Sequence, residues 1–205
     1  MSDALAEILR HPALWRGGDA GAPETVPTGF RALDARLPGG GWPLASLIEL
    51  LVPAAGVGEV RLLLPALRSL TADGTEPRWV AWLAPPHLPY APALAEAGLD
   101  PARMLVVRPR AGLDRLWAME QALRSGACAA VLGWAGEARD PVLRRLKLAA
   151  EEGGTTAFLL RPSGHRHEAS PAALRLALTA REYGLDVEVV KSRCGPARIE
   201  RLPIH

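Results

Sequence analysis

The chain has 205 residues, 49% of them hydrophobic, with 24 Lys and Arg against 22 Asp and Glu. That length suits one globular unit with a short arm, and the apolar content is enough for a sizeable core. A net charge of +2 excludes a global electrostatic pull toward nucleic acid. Cys128 and Cys194 lack metal-ligand spacing and imply no disulfide framework, and no run approaches ~20 uninterrupted apolar residues. A cytoplasmic protein without a membrane span, metal or cofactor is the expectation.

Taken in chain order, residues 1–26 read as an N-terminal arm and linker. Leu5, Ile8 and Leu9 share one face of a short helix that His11-Pro12 stops, Leu14 and Trp15 follow, and Gly17, Gly18, Gly21 and Pro23 loosen the connection. Leu9, Leu14 and Trp15 are the candidate partner-binding side chains of this arm, because an apolar anchor with an aromatic ring fills a partner's pocket. Residues 27–205 form the second unit. From Thr28 onward short apolar strands alternate with amphipathic helices: strands over residues 46–52, 78–83, 104–108, 128–132 and 156–160, helices over 60–71, 92–97, 113–124 and 142–151. This alternation predicts an α/β fold with a mainly parallel sheet covered on both faces. Leu174 to Arg181 alternates apolar with polar, and two further strand-like runs end the chain, which predicts antiparallel strands at the C-terminus.

Between the first strand and the first long helix lies Pro53-Ala54-Ala55-Gly56-Val57-Gly58-Glu59, in the place of a phosphate-binding loop. A working loop ends Gly-Lys-Ser/Thr, since the lysine reaches the phosphates and the hydroxyl ligates magnesium. Here Glu59 and Val60 follow Gly58, and a carboxylate repels a polyphosphate. Gly56, Gly58 and Glu59 therefore form a degenerate phosphate loop, no catalytic residue is assigned, and nucleotide turnover is not expected. The competing reading of the same residues is a plain strand-to-helix turn, with Glu59 complementing the helix dipole.

The segment Val26-Pro27-Thr28-Gly29-Phe30-Arg31-Ala32-Leu33-Asp34, followed by Leu37-Pro38-Gly39-Gly40-Gly41-Trp42-Pro43, resembles the entry to the first core strand of RecA-type recombinases. The landmarks after it keep the same order over residues 26–200. Within that superfamily, Leu63-Leu64-Pro65-Ala66-Leu67 and Ala84-Pro85-Pro86-His87-Leu88-Pro89-Tyr90 resemble the ImuA family, RecA-like accessory proteins of translesion-synthesis cassettes. The resemblance implies a RecA-like three-layer core and an adaptor in SOS-linked DNA-damage tolerance. Its implied partners are RecA, an ImuB-like inactive polymerase relative and an error-prone DNA polymerase, with weak single-stranded DNA binding.

Two other classes stand beside this expectation: a SulA-type cell-division inhibitor that binds a tubulin-like division protein, and a residual DNA-stimulated ATPase. Candidate contacts to DNA or RecA are Arg166, in the loop 162–170, and Lys191, Arg193 and Arg198 near the C-terminus. Arg166 reads as a phosphate contact or as part of a mobile polar loop. The C-terminal cluster reads as a charged sheet edge or, by the resemblance, as the basic strand end directed at a neighbouring subunit. His165, His167 and Glu168 lack a further ligand for a metal. Trp42, Trp79, Trp82 and Trp117 fit core or sheet-edge packing.

Overall fold

A computed structural model describes residues 23–72, 78–109, 113–136 and 138–204. The arm side chains Leu9, Leu14 and Trp15 lie outside these residues. The described chain begins with a two-stranded antiparallel ribbon, β1 (Thr25–Val26) against β2 (Trp42–Pro43), with α1 (Arg31–Asp34) between them. It continues as β3 (Leu47–Val52), α2 (Glu59–Ala72), β4 (Trp79–Leu83), α3 (Ala91–Glu96), β5 (Met104–Val107), α4 (Leu113–Arg124), β6 (Cys128–Trp134) and α5 (Asp140–Glu152). The last strands are β7 (Thr156–Pro162), β8 (Leu174–Arg181), β9 (Gly184–Lys191) and β10 (Ala197–Leu202).

The large sheet has eight strands in the order β10-β9-β8-β3-β7-β6-β4-β5. Neighbours from β8 through β5 are parallel, whereas β8-β9 and β9-β10 are antiparallel. The fold is thus mixed α/β, mostly parallel with antiparallel strands added at one edge. The first strand of the C-terminal meander differs from a simple appended hairpin: β8 pairs parallel to β3, so the meander continues the sheet.

Side-chain alternation along the strands decides which helices cover which face. Ile48, Leu50 and Val52 of β3, Val80 and Trp82 of β4, and Phe158 and Leu160 of β7 turn to one side, where Leu62, Leu63, Ala66 and Leu67 of α2 meet them. Leu47, Ala81, Leu83, Val131, Ala157 and Leu159 turn to the other, against Leu116, Met119 and Leu123 of α4 and Leu143 and Leu146 of α5. Each of these fully buried leucines contributes about 1.5–3 kcal/mol relative to exposure. Gly133 has no side chain where one would collide with Met119, since a Cβ there would lie 2.5 Å from the methionine sulfur. Close helix-to-sheet packing requires that absence.

The tryptophans divide. Trp42 is fully buried and meets Phe158 edge-on at 5.5 Å, and Trp82 is in the core as well. Trp79 and Trp117 instead are 41% and 61% exposed. The packing role read for Trp117 in the sequence does not hold: Leu116, Met119 and Leu123 take the buried stripe of α4, which leaves Trp117 off that stripe.

Candidate functional site

The loop between β3 and α2 turns on Gly56 (φ 86°) and Gly58 (φ 107°), both in the region that L side chains avoid. At Gly58 a side chain is excluded twice over, because a Cβ would sit 2.3 Å from Cδ1 of Ile204. Glu59, the first residue of α2, folds its side chain back over this loop, and its Oε1 accepts from the Gly56 backbone N–H at 2.8 Å. The reach of three residues is that of a capping-box carboxylate, and it places negative charge at the positive end of the helix. Glu59 is 3% exposed, and its second oxygen, Oε2, has no hydrogen-bond partner. The chain's own carboxylate therefore occupies the loop amide that an outside anion would need.

Beside this loop a cavity of about 910 Å³ opens over the α2 and α3 side of the sheet. Its walls come from the starts of α1 and α2, the C-terminal ends of β4 and β6, the loop Pro85-Pro86-His87-Leu88-Pro89-Tyr90, and α3. At its base Trp82 and Trp134 stack with centroids 5.9 Å apart and planes 17° from parallel. Neither indole N–H has a partner. Gly29 (φ 86°) brings bare backbone against the ring of Pro65, where a Cβ would come within 2.4 Å. Pro65 lies inside α2 and has no N–H for the Arg61 carbonyl. Arg61 and Arg68 border the cavity, are exposed, and make no ion pair among the described residues. The sequence singled out the proline-rich loop, and periodicity gave no signal that Trp134 lines the same cavity.

The basic candidates are spread over the C-terminal strands. Arg166 donates to both carboxylate oxygens of Glu188, Nη1 to Oε2 at 2.8 Å. This guanidinium holds the Glu188 carboxyl below its usual range. Lys191 donates to the Ser170 carbonyl, and burial lowers its ammonium from its ordinary value. Arg198 lies 3.5 Å from Glu200 and 3.7 Å from Asp186. Asp186 is itself held low, first by the hydrogen bond from Arg181 and next by the backbone N–H of Arg201. Arg193 is exposed at the turn after β9. Most of this cluster is thus matched by carboxylates and carbonyls of the same sheet.

The loop after β7 is also tied down rather than loose. Ser163–His167 forms a 3-10 turn. Arg175 donates to the carbonyls of His165 (2.9 Å), Arg166 (3.3 Å) and Glu168 (2.9 Å). Arg175 also donates from Nε to Glu49 at 2.6 Å, and Arg161 donates to the other Glu49 oxygen at 3.1 Å. Glu49, Arg161 and Arg175 are all buried, one on each of three adjacent strands. Sequence reasoning passed over this cluster. Its one signal was Glu49, a carboxylate in the middle of the apolar run Leu47–Val52.

Among the described residues, no group of three or more His, Cys, Asp or Glu could hold a metal. No described helix is long and apolar enough to cross a membrane.

Comparison with known proteins identifies the family. The model of the family described as "Cell division inhibitor SulA" matches residues 52–157, just over half of the chain. The SulA of Photorhabdus laumondii is 33% identical over 115 residues, covering 56% of this chain and 63% of that protein. The SulA of Serratia proteamaculans is 35% identical over 103 residues, covering 50% and 60%. The chain thus spans about three fifths of the length of these curated relatives. A crystal structure of SulA from Pseudomonas aeruginosa aligns with a TM-score of 0.47 at 27% identity, over 56% of this chain and 97% of that one. These findings overturn the assignment to ImuA and, with it, the translesion-synthesis role. The partners implied by that resemblance, RecA, an ImuB-like protein and an error-prone polymerase, are withdrawn on the same ground. The physical reason for the misreading is that strand-helix order and a glycine-containing first loop belong to many open α/β sheets, so they identify an architecture and leave the partner open. With the match running from the end of β3 through α2, the proline-rich loop, β6 and the start of β7, the chain belongs to the SulA family of cell division inhibitors.

Proposed function

We propose that this protein is an SOS-linked inhibitor of cell division that works by binding a tubulin-like division protein in the cytoplasm, without catalysis. The observation that carries the reading is the family match over residues 52–157, which contains every wall of the aromatic cavity except Gly29 and Phe30. The matched segment thus includes most of a concave, largely apolar surface of the sort that proteins use for recognition. Glu59 supports a binding role: its carboxylate takes the Gly56 N–H, so the loop serves as a structural turn at the rim of that surface. The arm of residues 1–26 belongs to this proposal as a second contact.

The test is overproduction in a rod-shaped bacterium. Filamentous cells are expected, with normal DNA segregation and no septa, and sedimentation of the purified tubulin-like protein with GTP should show less polymer as this chain is added. Normal division at high levels of folded protein, together with undiminished polymer, would overturn the reading.

A further inference from the structure

We propose that the proline-rich loop 85–90 is the docking finger of this protein, and that Leu88 and Tyr90 insert into an apolar pocket with an acidic rim on the tubulin-like division protein. The inference rests on the division-inhibitor reading for the partner and adds which surface makes the contact.

Leu88 is 68% exposed and Tyr90 71%. Apolar side chains scattered singly over a surface are ordinary, but these two stand two residues apart on one short loop and border the same cavity. Leaving a leucine in water forgoes about 1.5–3 kcal/mol relative to burying it. The neighbouring Pro85 and Leu94 are buried, so this stretch turns some apolar residues inward and holds these two out. Prolines at 85, 86 and 89 fix φ at three of the six loop positions, and Pro89 confines Leu88 to extended backbone. Both ends are tied. The Ala84 N–H donates to the Val107 carbonyl at 2.8 Å, and the Tyr90 carbonyl accepts from the Leu94 N–H at 3.2 Å where α3 begins. Ala84 itself has φ 52°, a conformation that costs energy for a residue with a Cβ. The Tyr90 side chain takes no part in capping α3. A loop held in one shape loses little conformational freedom on binding, and a tyrosine on it offers a large contact area with only two rotatable bonds.

The charges beside the loop set the character of the partner. Arg61 and Arg68 border the same cavity, are exposed, and make no ion pair among the described residues, whereas Glu96 is the one exposed carboxylate on that lining. Two guanidiniums against one carboxylate complement an apolar pocket with acidic residues around it. The other strongly exposed aromatic side chains lack this setting. Tyr183, 75% exposed, sits in the turn between β8 and β9, and Trp117, 61% exposed, stands on α4, and neither borders the cavity. Tyr183 also falls outside residues 52–157, the segment matched by the division-inhibitor family, whereas the whole loop falls within it.

The experiment uses the full chain and the purified tubulin-like division protein of the rod-shaped bacterium used for overproduction. Biolayer interferometry gives the dissociation constant, and cell length after overproduction is the second readout. The double variant Leu88→Ser, Tyr90→Ser should bind at least tenfold more weakly and leave cells short, while Tyr90→Phe and Tyr183→Ser behave as wild type. Its urea midpoint should equal that of the wild type, because both side chains are exposed. A lowered midpoint would make the pair part of the fold and overturn the proposal. Arg61→Glu should also weaken binding, and an unchanged or higher affinity would overturn the acidic rim. If the wild type binds and forms filaments while the double variant does the same, or if Tyr183→Ser loses as much, the loop fails as the contact and the division reading stands. If the wild type neither binds nor forms filaments, the division reading falls and this docking proposal with it.

Discussion

The Glu49 cluster and the aromatic cavity lie on opposite faces of one sheet and differ in how densely their polar groups are bonded. Beneath the loop 162–168, Glu49 has a guanidinium on each oxygen, and Arg175 has a carboxylate and three carbonyls around it. In the cavity Glu59 has one partner, the two indoles have none, and two arginines stand unpaired at the rim. Buried polar groups are normally satisfied, and the enclosed indole nitrogens and Glu59 Oε2 beside the cavity, like Arg161 Nε in the cluster, lack a protein partner. The first region ties three strands and a loop together, and the second leaves an open concave surface with few internal bonds.

The largest effect expected from breaking this contrast is at the cluster. Glu49→Ala leaves two buried guanidiniums without their carboxylate and should destabilise the fold by about 3–5 kcal/mol, read as a lowered midpoint in urea denaturation. A loss under about 1 kcal/mol would show that the cluster is dispensable. Trp82→Ala comes next, at about 3–5 kcal/mol by the large-to-small rule, with the upper half reserved for sites that cannot collapse. Because this ring borders an existing cavity, the lower half of that range is expected, and thermal melts would measure it.

Glu59→Gln sharpens the comparison from the other side. It keeps an acceptor for the Gly56 N–H and removes the charge at the helix start, so a loss of about 0.5–1 kcal/mol is expected in denaturation experiments. Glu59→Ala should cost more, since the amide loses its partner altogether.

Acid gives a smaller and more distributed effect. Hydrogen bonds from Arg166, Arg181 and His165 hold Glu188, Asp186 and Glu168 below the usual carboxylate range. Groups depressed in the folded state contribute stability that is present above their unfolded pKa of about 4 and is lost as pH falls through their folded values. Melting temperature should therefore be flat from pH 7 to 5 and decline below about pH 4. Arg166→Ala should make that decline shallower, while changing stability at pH 7 by only about 0.2–1 kcal/mol, as for a partly exposed pair.

The strands and helices were legible because apolar residues recur at periods of 2 and 3.6: α4 spans the predicted residues 113–124, and β3 and α2 differ from expectation by one residue at their boundaries. The three C-terminal strands were legible for the same reason. Their parallel attachment to β3 was not, because alternation along Leu174–Arg181 fixes faces and says nothing about direction. Arg175 shows the cost of reading alternation alone. It falls on the polar phase of β8 and reads as solvent-facing, yet it is 4% exposed, because the loop 163–168 folds over it. The cavity was harder still, since Phe30, Arg68, Tyr90 and Trp134 are far apart in sequence and meet only through the crossovers.

The position of β3 has a kinetic consequence. It is the first strand of the large sheet to be made, yet it ends between β7 and β8, and Glu49 pairs with guanidiniums 112 and 126 residues downstream. During synthesis at ~5–20 residues per second, an apolar strand waits several seconds or more for its neighbours, the interval in which unpaired edges associate wrongly. A charge in the middle of that strand discourages such association until Arg161 and Arg175 emerge. The ion cluster then closes the sheet late, so non-local pairing sets the pace of folding, and Glu49 protects the nascent chain before it stabilises the finished one.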